Sequence, residues 1–293
     1  MRAVQRKSAH HLLLGLVLAS AAAPAFATST WAMWDNTDPK ACQLSSGTST
    51  SVGNAYDCAA TVTTDPEMTA TAWSTTGSGQ TFASSSIQRW NWTSSPDTPV
   101  TIAGQTTGYD YGVVNPGEGS GDGQHSMDNL NNVDLIALDF ASEIALTSVS
   151  IGWYSNDSDI SVLRWAGSTA PASIGAALAG YTTAGLIASG WELVGHFSNV
   201  ASDPGTPART IDINGAGASS WWLVSAYSNG YGVGTTTYGG VTSTTVGGGT
   251  DMVKLLQVAG NVQPDNETPE PMSLALLGLG LAGIAASRRR RRI

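Results

Sequence analysis

The fold is decided by residues 134–165, which read DLIALDFASEIALTSVSIGWYSNDSDISVLRW. Three runs in this stretch are rich in apolar, β-branched and aromatic residues, namely Asp134–Phe140, Ile144–Trp153 and Ile160–Trp165. Short polar breaks separate the runs, and the second break, Asn156–Asp159, consists of Asn, Asp and Ser. Runs of this kind bounded by turn residues predict β-strands joined by turns.

Four further runs continue the pattern: Trp191–Phe197, Arg209–Ile213, Trp221–Tyr227 and Asp251–Val258. Seven short strands separated by turns predict an antiparallel all-β domain, a β-sandwich of jelly-roll-like form. Only Ala172–Leu186 has helical character, and its three glycines weaken a helix. We expect a short helix or a loop insertion there.

The composition excludes some classes of function. The 293 residues include 13 Lys and Arg against 22 Asp and Glu, for a formal net charge of -9. An acidic surface repels phosphate backbones, so we expect no nucleic-acid partner. With 34 Gly and 12 Pro the chain is rich in turns, but its 41% of hydrophobic residues can build a core.

The N-terminus has the three parts of a secretory signal peptide. Basic residues, Arg2, Arg6 and Lys7, precede an apolar run, residues 12–23, and Ala25 and Ala27 supply the small residues of a cleavage site. We expect signal peptidase to cut after Ala27, which removes residues 1–27.

The C-terminus combines Pro269-Glu270-Pro271, an apolar stretch from Met272 to Ala286, and the basic run Arg288, Arg289, Arg290, Arg291, Arg292. At 1.5 Å per residue the stretch reaches roughly 23 Å, against a hydrocarbon core of about 30 Å, which predicts a single short transmembrane helix. The positive-inside rule keeps the arginines cytoplasmic. We therefore expect an exported domain at 28–262, a polar tether at 263–268, and a membrane-held tail at 269–293.

This tail resembles the PEP-CTERM sorting signal of bacterial proteins that an exosortase processes. The resemblance implies cleavage near Pro269-Glu270-Pro271, transient residence in the inner membrane, and delivery to the cell surface or extracellular matrix. Residues 110–260 are also similar to the exosortase-dependent surface protein family, through 125–129, 133–140, 148–165, 189–197 and 254–260. That similarity implies an exported surface domain and carries over no catalytic residue.

The two cysteines, Cys42 and Cys58, both lie in the part that we expect to be exported. Export exposes them to an oxidising compartment, so we predict that they form a disulfide. A metal pair or a redox cysteine is the weaker alternative, because the sequence has no C-x-x-C motif and no nearby His.

Calcium is the candidate cofactor, because hard cations take several carboxylate and carbonyl oxygens. Two loops dense in Asp and Asn, residues 128–134 and 156–159, offer such ligands. The candidate ligands are Asp128, Asn132, Asp134, Asp157 and Asp159. The alternative is that these side chains form Asx turns at strand ends.

Tryptophans suggest a second type of binding. Trp90 and Trp92 share one face of a strand, and the adjacent Trp221 and Trp222 point to opposite faces. Exposed rings could contact extracellular polysaccharide, whereas buried rings would belong to the core.

Enzymatic chemistry has little support in the sequence. The exported part has only His125 and His196, and no G-x-S-x-G motif is present. We therefore expect a structural or adhesive surface protein, with a carbohydrate-binding module as the alternative and a secreted hydrolase as the weaker one.

Overall fold

A computed structural model describes residues 28–33, 42–47, 52–91, 100–102, 105–107, 109–115, 125–198, 209–213, 217–233, 236–238, 241–243 and 249–263. The predicted signal peptide, with Ala25 and Ala27, lies outside these residues, as do the tether after Gln263 and the whole sorting tail. Within the part that the structure describes, no helix has the length and apolar character that crossing a membrane requires.

The first half of the described chain contains nine strands. They are β1 (Thr28–Ala32), β2 (Gln43–Gly47), β3 (Val52–Cys58), β4 (Met68–Thr76), β5 (Thr81–Asn91), β6 (Val100–Ile102), β7 (Gln105–Thr107), β8 (Tyr109–Val114) and β9 (Met127–Asp128).

The second half adds eight strands and one α-helix. They are β10 (Asp134–Asn156), β11 (Ile160–Trp165), α1 (Thr183–Ser189), β12 (Trp191–Phe197), β13 (Arg209–Asp212), β14 (Ser219–Ala226), β15 (Thr236–Tyr238), β16 (Val241–Ser243) and β17 (Asp251–Val262).

All of the strand pairings are antiparallel, so the prediction of an antiparallel all-β domain is confirmed. The main sheet runs in the order β1-β17-β8-β5-β3-β4-β10-β14-β11-β12, and β17 also pairs with β10. The pairings β10 to β4, β4 to β5, β5 to β8, β8 to β17 and β17 to β10 therefore form a closed ring. The jelly-roll connectivity stays a prediction.

Strand β10 links the two sides of this ring. We predicted two strands here, but residues 134–156 form one strand of 23 residues. Its first half pairs with β4 and β14, and its second half pairs with β17 and β13. The register shifts between Asp139 and Ile144, which is where the strand changes partners. The polar break in the sequence is therefore an irregularity within one strand, because bulges bend a strand without ending it.

Both faces of the sheet around β10 are buried. Ile136 and Leu138 point into the main core, whereas Leu135 and Ala137 point to a second cluster on the other face. Residues of the segment between β11 and β12, including Leu178 and Leu186, cover that second face. The alternation follows from the two-residue period of a strand.

A short helix is present near the predicted segment Ala172–Leu186, but it lies further along the chain. Helix α1 begins at Thr183. The side chain of Thr182 accepts a hydrogen bond from the Gly185 N–H and so caps the helix. Residues 172–180 form turns instead. The last of them, Gly180, has a positive φ of 80°. The helix ends at Gly190, whose φ of 125° suits glycine.

Candidate functional site

Three aspartates meet at one end of the domain. Asp157 and Asp159 follow β10, and Asp251 is the first residue of β17. One carboxylate oxygen from each lies within 4.8 Å of the others. Asp159 and Asp251 are buried, and Asp157 is half-buried. We call these three residues the aspartate cluster.

Hydrogen bonds position the Asp251 carboxylate. Its Oδ1 accepts from the backbone N–H of Asp159 at 2.9 Å, and its Oδ2 accepts from Nδ2 of Asn129 at 2.6 Å. Asn129 in turn accepts from the Asp251 N–H at 2.9 Å and donates to the Tyr227 carbonyl at 3.2 Å. Asn129 thereby joins the beginning of β17 to the end of β14.

The electrostatics of the cluster favour a bound cation or proton. Burial raises the pKa of Asp251 to about 7, and repulsion from Asp159 and Asp157 adds to that effect. The hydrogen bonds from Asp159 and Asn129 oppose the rise in pKa, because they stabilise the carboxylate. Burial also raises the pKa of the nearby Tyr227, and the charges of Asp159 and Asp251 raise it further. Carboxylates this close suit a hard cation such as Ca²⁺.

The structure groups only some of the predicted calcium ligands. It brings Asp157 and Asp159 together and adds Asp251, which the sequence analysis treated only as the start of a strand. Asp251 lies 92 residues from Asp159, so only the pairing of β17 with β10 makes them neighbours. No local sequence signal could have found it.

The other three predicted ligands are not part of the aspartate cluster. Asp128 accepts from the Leu130 N–H at 2.9 Å and from Ser126 Oγ at 3.3 Å, which is the Asx turn that we considered as the alternative. Asn132 accepts from Gln80 Nε2 at 3.5 Å. Asp134 accepts from the Ser74 hydroxyl on the neighbouring strand β4. These side chains bond to their own turn or to β4 and the turn that follows it.

We expect millimolar Ca²⁺ to raise the thermal midpoint of the processed domain, and to do so more at pH 8 than at pH 5.5. The folded pKa of Asp251 lies above its usual value of 3.8, so this group favours the folded state at low pH. That contribution is lost as the pH rises through about 7, when the carboxylate ionises beside two others. Ca²⁺ should therefore restore most stability where the cluster is fully ionised.

The measurement is thermal unfolding in EDTA and in Ca²⁺ at both pH values. Asp157→Asn should reduce the calcium effect and raise stability in EDTA at pH 8, whereas the exposed Asp212→Asn should change neither. Equal midpoints for the unmodified domain in EDTA and Ca²⁺ at pH 8 would contradict the calcium prediction.

His196 forms a buried hydrogen-bonded pair with Ser161. The Ser161 hydroxyl lies 2.8 Å from Nδ1, and Nε2 lies 3.0 Å from the Gly232 carbonyl oxygen. A carbonyl can only accept, so Nε2 carries the proton and Nδ1 accepts from Ser161. Burial lowers the pKa of His196, which keeps the ring neutral, although the Gly232 carbonyl and Asp159 oppose that shift. Both side chains are buried, and the pair ties β11 to β12 and to the turn at Gly232.

Lys254 is a buried cation that the sequence analysis did not single out. It is 1% exposed, and its Nζ lies 4.6 Å from the centroid of the Trp153 ring. Burial lowers the pKa of Lys254, while the charge of Asp110 raises it. The pKa of the half-buried His125 is lowered by burial and by Lys254. The cation-π contact stabilises the buried charge between β17 and β10.

The tryptophans predicted to bind carbohydrate include two core residues. Trp222 is 0% exposed, and its Nε1 donates to the carbonyls of Ser219 and Ile144 at 2.9 and 3.1 Å. Trp221 is 9% exposed and donates to Asp139 Oδ1 at 2.9 Å. The prediction of carbohydrate contact is therefore wrong for Trp222 and unsupported for Trp221, because both faces of β14 are covered. The Trp90 side chain and Trp92 lie outside the described residues.

The predicted disulfide between Cys42 and Cys58 is present. Cys42 precedes β2 and Cys58 ends β3, and these two strands pair with each other. Both sulfurs are buried in the main core. The bond therefore closes the open end of a hairpin beside the core.

One family model matches the chain, and it describes the PEP-CTERM protein-sorting motif over residues 267–291. The match includes Pro269, Glu270, Pro271 and four of the five arginines, Arg288–Arg291. A sequence comparison with curated proteins finds no match. The C-terminal end of this chain is a PEP-CTERM sorting motif, and the protein is accordingly exported and sorted through an exosortase.

Proposed function

We propose that this chain is a structural or adhesive protein of the cell surface or extracellular matrix, delivered there as a jelly-roll-like β-sandwich. Signal peptidase removes residues 1–27, and the apolar stretch Met272–Ala286 holds the chain briefly in the inner membrane. An exosortase then cuts near Pro269-Glu270-Pro271 and releases the domain. The observation that carries the proposal is the sorting motif at 267–291, placed directly after an all-β domain whose last strand ends at Val262.

Several features of the domain support a durable structural role. The disulfide, the aspartate cluster and the pair of Ser161 with His196 each join separate strands. These contacts hold separate strands together. The acidic composition also suits a hydrated matrix in which divalent cations bridge anionic polymers.

The test of this proposal is mass spectrometry of the protein from the native cell surface, with and without the processing enzyme. We expect a C-terminus near Pro269–Pro271 when the enzyme is present and the full tail when it is absent. Replacing both Pro269 and Pro271 by alanine should leave the tail intact, whereas Gln263→Asn, outside the matched residues, should not. An intact terminus at Arg288–Ile293 in the presence of the enzyme would contradict sorted release.

The alternatives have less support. A carbohydrate-binding module now depends on Trp90 and Trp92, because Trp221 and Trp222 are in the core. A secreted hydrolase gains no support from the pair of Ser161 and His196, because both side chains are buried.

A further inference from the structure

The two ends of the exported domain lie side by side. Thr28, the first residue after the expected signal cleavage, pairs with Asn261 near the end of β17, and its hydroxyl donates to Asn261 Oδ1 at 3.1 Å. On the other side of β17, Val262 pairs with Ile144. The Gln263 N–H then donates to the Glu143 carbonyl at 3.2 Å. Within the residues that the structure describes, the pairing of this end therefore includes Gln263.

This pairing leaves little chain before Pro269-Glu270-Pro271. Five residues, 264–268, separate Gln263 from Pro269. Even fully extended, they span roughly 20 Å. Eight residues, 264–271, separate Gln263 from Met272, so if the apolar stretch crosses the inner membrane as proposed, the paired end of β17 lies within roughly 30 Å of the outer surface of that membrane.

We infer that the domain end formed by Thr28, Glu143, Asn261 and Gln263 faces the membrane-embedded processing enzyme, so that the length of the tether after Gln263 limits cleavage. The inference rests on the proposed function. Glu143 and Glu67 are exposed near this end. Their charges disfavour close contact of this end with anionic lipid, so the tether and not the domain surface sets the distance to the membrane.

The same geometry orients the rest of the domain. Strand β17 has 12 residues, which span roughly 36 Å at about 3.3 Å per residue. The aspartate cluster lies at its first residue and the tether follows its last one. The membrane-held precursor therefore presents the aspartate cluster away from the membrane.

The test is a set of tether variants expressed in a host that contains the exosortase, with cleavage followed by mass over time. Deleting Pro264–Asn266 leaves the matched motif intact but should slow cleavage about tenfold or more, because small misplacements of a scissile group are costly. A variant in which Gly-Ser-Gly replaces the same three residues keeps the tether length, and it should be cleaved at the rate of the unmodified chain. Inserting Gly-Ser-Gly after the exposed residue Val233 should also leave the cleavage rate unchanged.

A rescue variant separates length from sequence. Asn261→Pro with Gln263→Pro removes two backbone N–H donors at the end of β17. The last residues of β17 should then unpair and lengthen the tether, which should restore cleavage of the deletion variant. Cleavage of the deletion variant at the unmodified rate would overturn the inference, as would slow cleavage of the Gly-Ser-Gly replacement. Failure of the unmodified chain to be cut would instead overturn the proposed function.

Discussion

Trp222→Ala is expected to lower the free energy of unfolding by about 3–5 kcal/mol, the usual cost of removing a buried large aromatic side chain. Trp222 is fully buried among residues of the main core and bonds to two carbonyls. Removing the indole leaves a cavity between β14 and β10 and deprives both carbonyls of their donor. Urea unfolding followed by circular dichroism measures the change.

Trp222→Phe is the companion variant for this experiment. It keeps most of the ring but loses the N–H, so it should cost less than the alanine variant and should still fold. A surface ring that binds carbohydrate would behave differently, because its loss would leave stability unchanged. A change below about 1 kcal/mol for Trp222→Ala would contradict the placement of this ring in the core.

The second large effect is expected from the disulfide. Replacing Cys42 and Cys58 by alanine should lower the free energy of unfolding by about 3 kcal/mol, the typical value for a closed loop of about 15 residues. The loop has a sequence separation of 16. The open chain has more freedom when unfolded, and this freedom is the main source of the loss.

Reduction provides the matched control. Both sulfurs are buried, so the unmodified domain is unfolded and refolded in reductant before its midpoint is measured. Its stability should then fall to that of the double alanine variant, which reductant should not affect. An unchanged unfolding midpoint in the reduced domain would show that the bond does not contribute to stability.

Strands with large apolar residues could be predicted from the sequence. The predicted runs Ile160–Trp165 and Trp191–Phe197 coincide with β11 and β12. Strand β4 was missed, because MTATAWSTT consists largely of Ser, Thr and Ala, and β5 was anticipated only at Trp90. These segments are strands because β4 pairs with β10 along seven residues and β5 pairs with β4. Tertiary pairing outweighs weak local preference there.

The aspartate cluster shows the same division between local and distant information. The dense loop at 156–159 marked Asp157 and Asp159 as candidates, since they are close in the sequence. Asp251 joins them only through the pairing of β17 with β10. Asp128 and Asp134 looked equally suitable as ligands, but Asp128 bonds to its own turn and Asp134 Oδ1 accepts from Ser74 on the neighbouring strand.

The sequence by itself determined the sorting motif, the antiparallel all-β class and the pairing of the only two cysteines. These properties depend on consecutive residues, on a two-residue period, or on composition, all of which can be read along the chain. Only the tertiary structure decided that β10 is one strand serving two sides of a ring, that Trp222 is in the core, and that Asp251 completes the cluster. Each of these depends on which distant strands pair, because pairing decides which side chains are buried and which charges become neighbours.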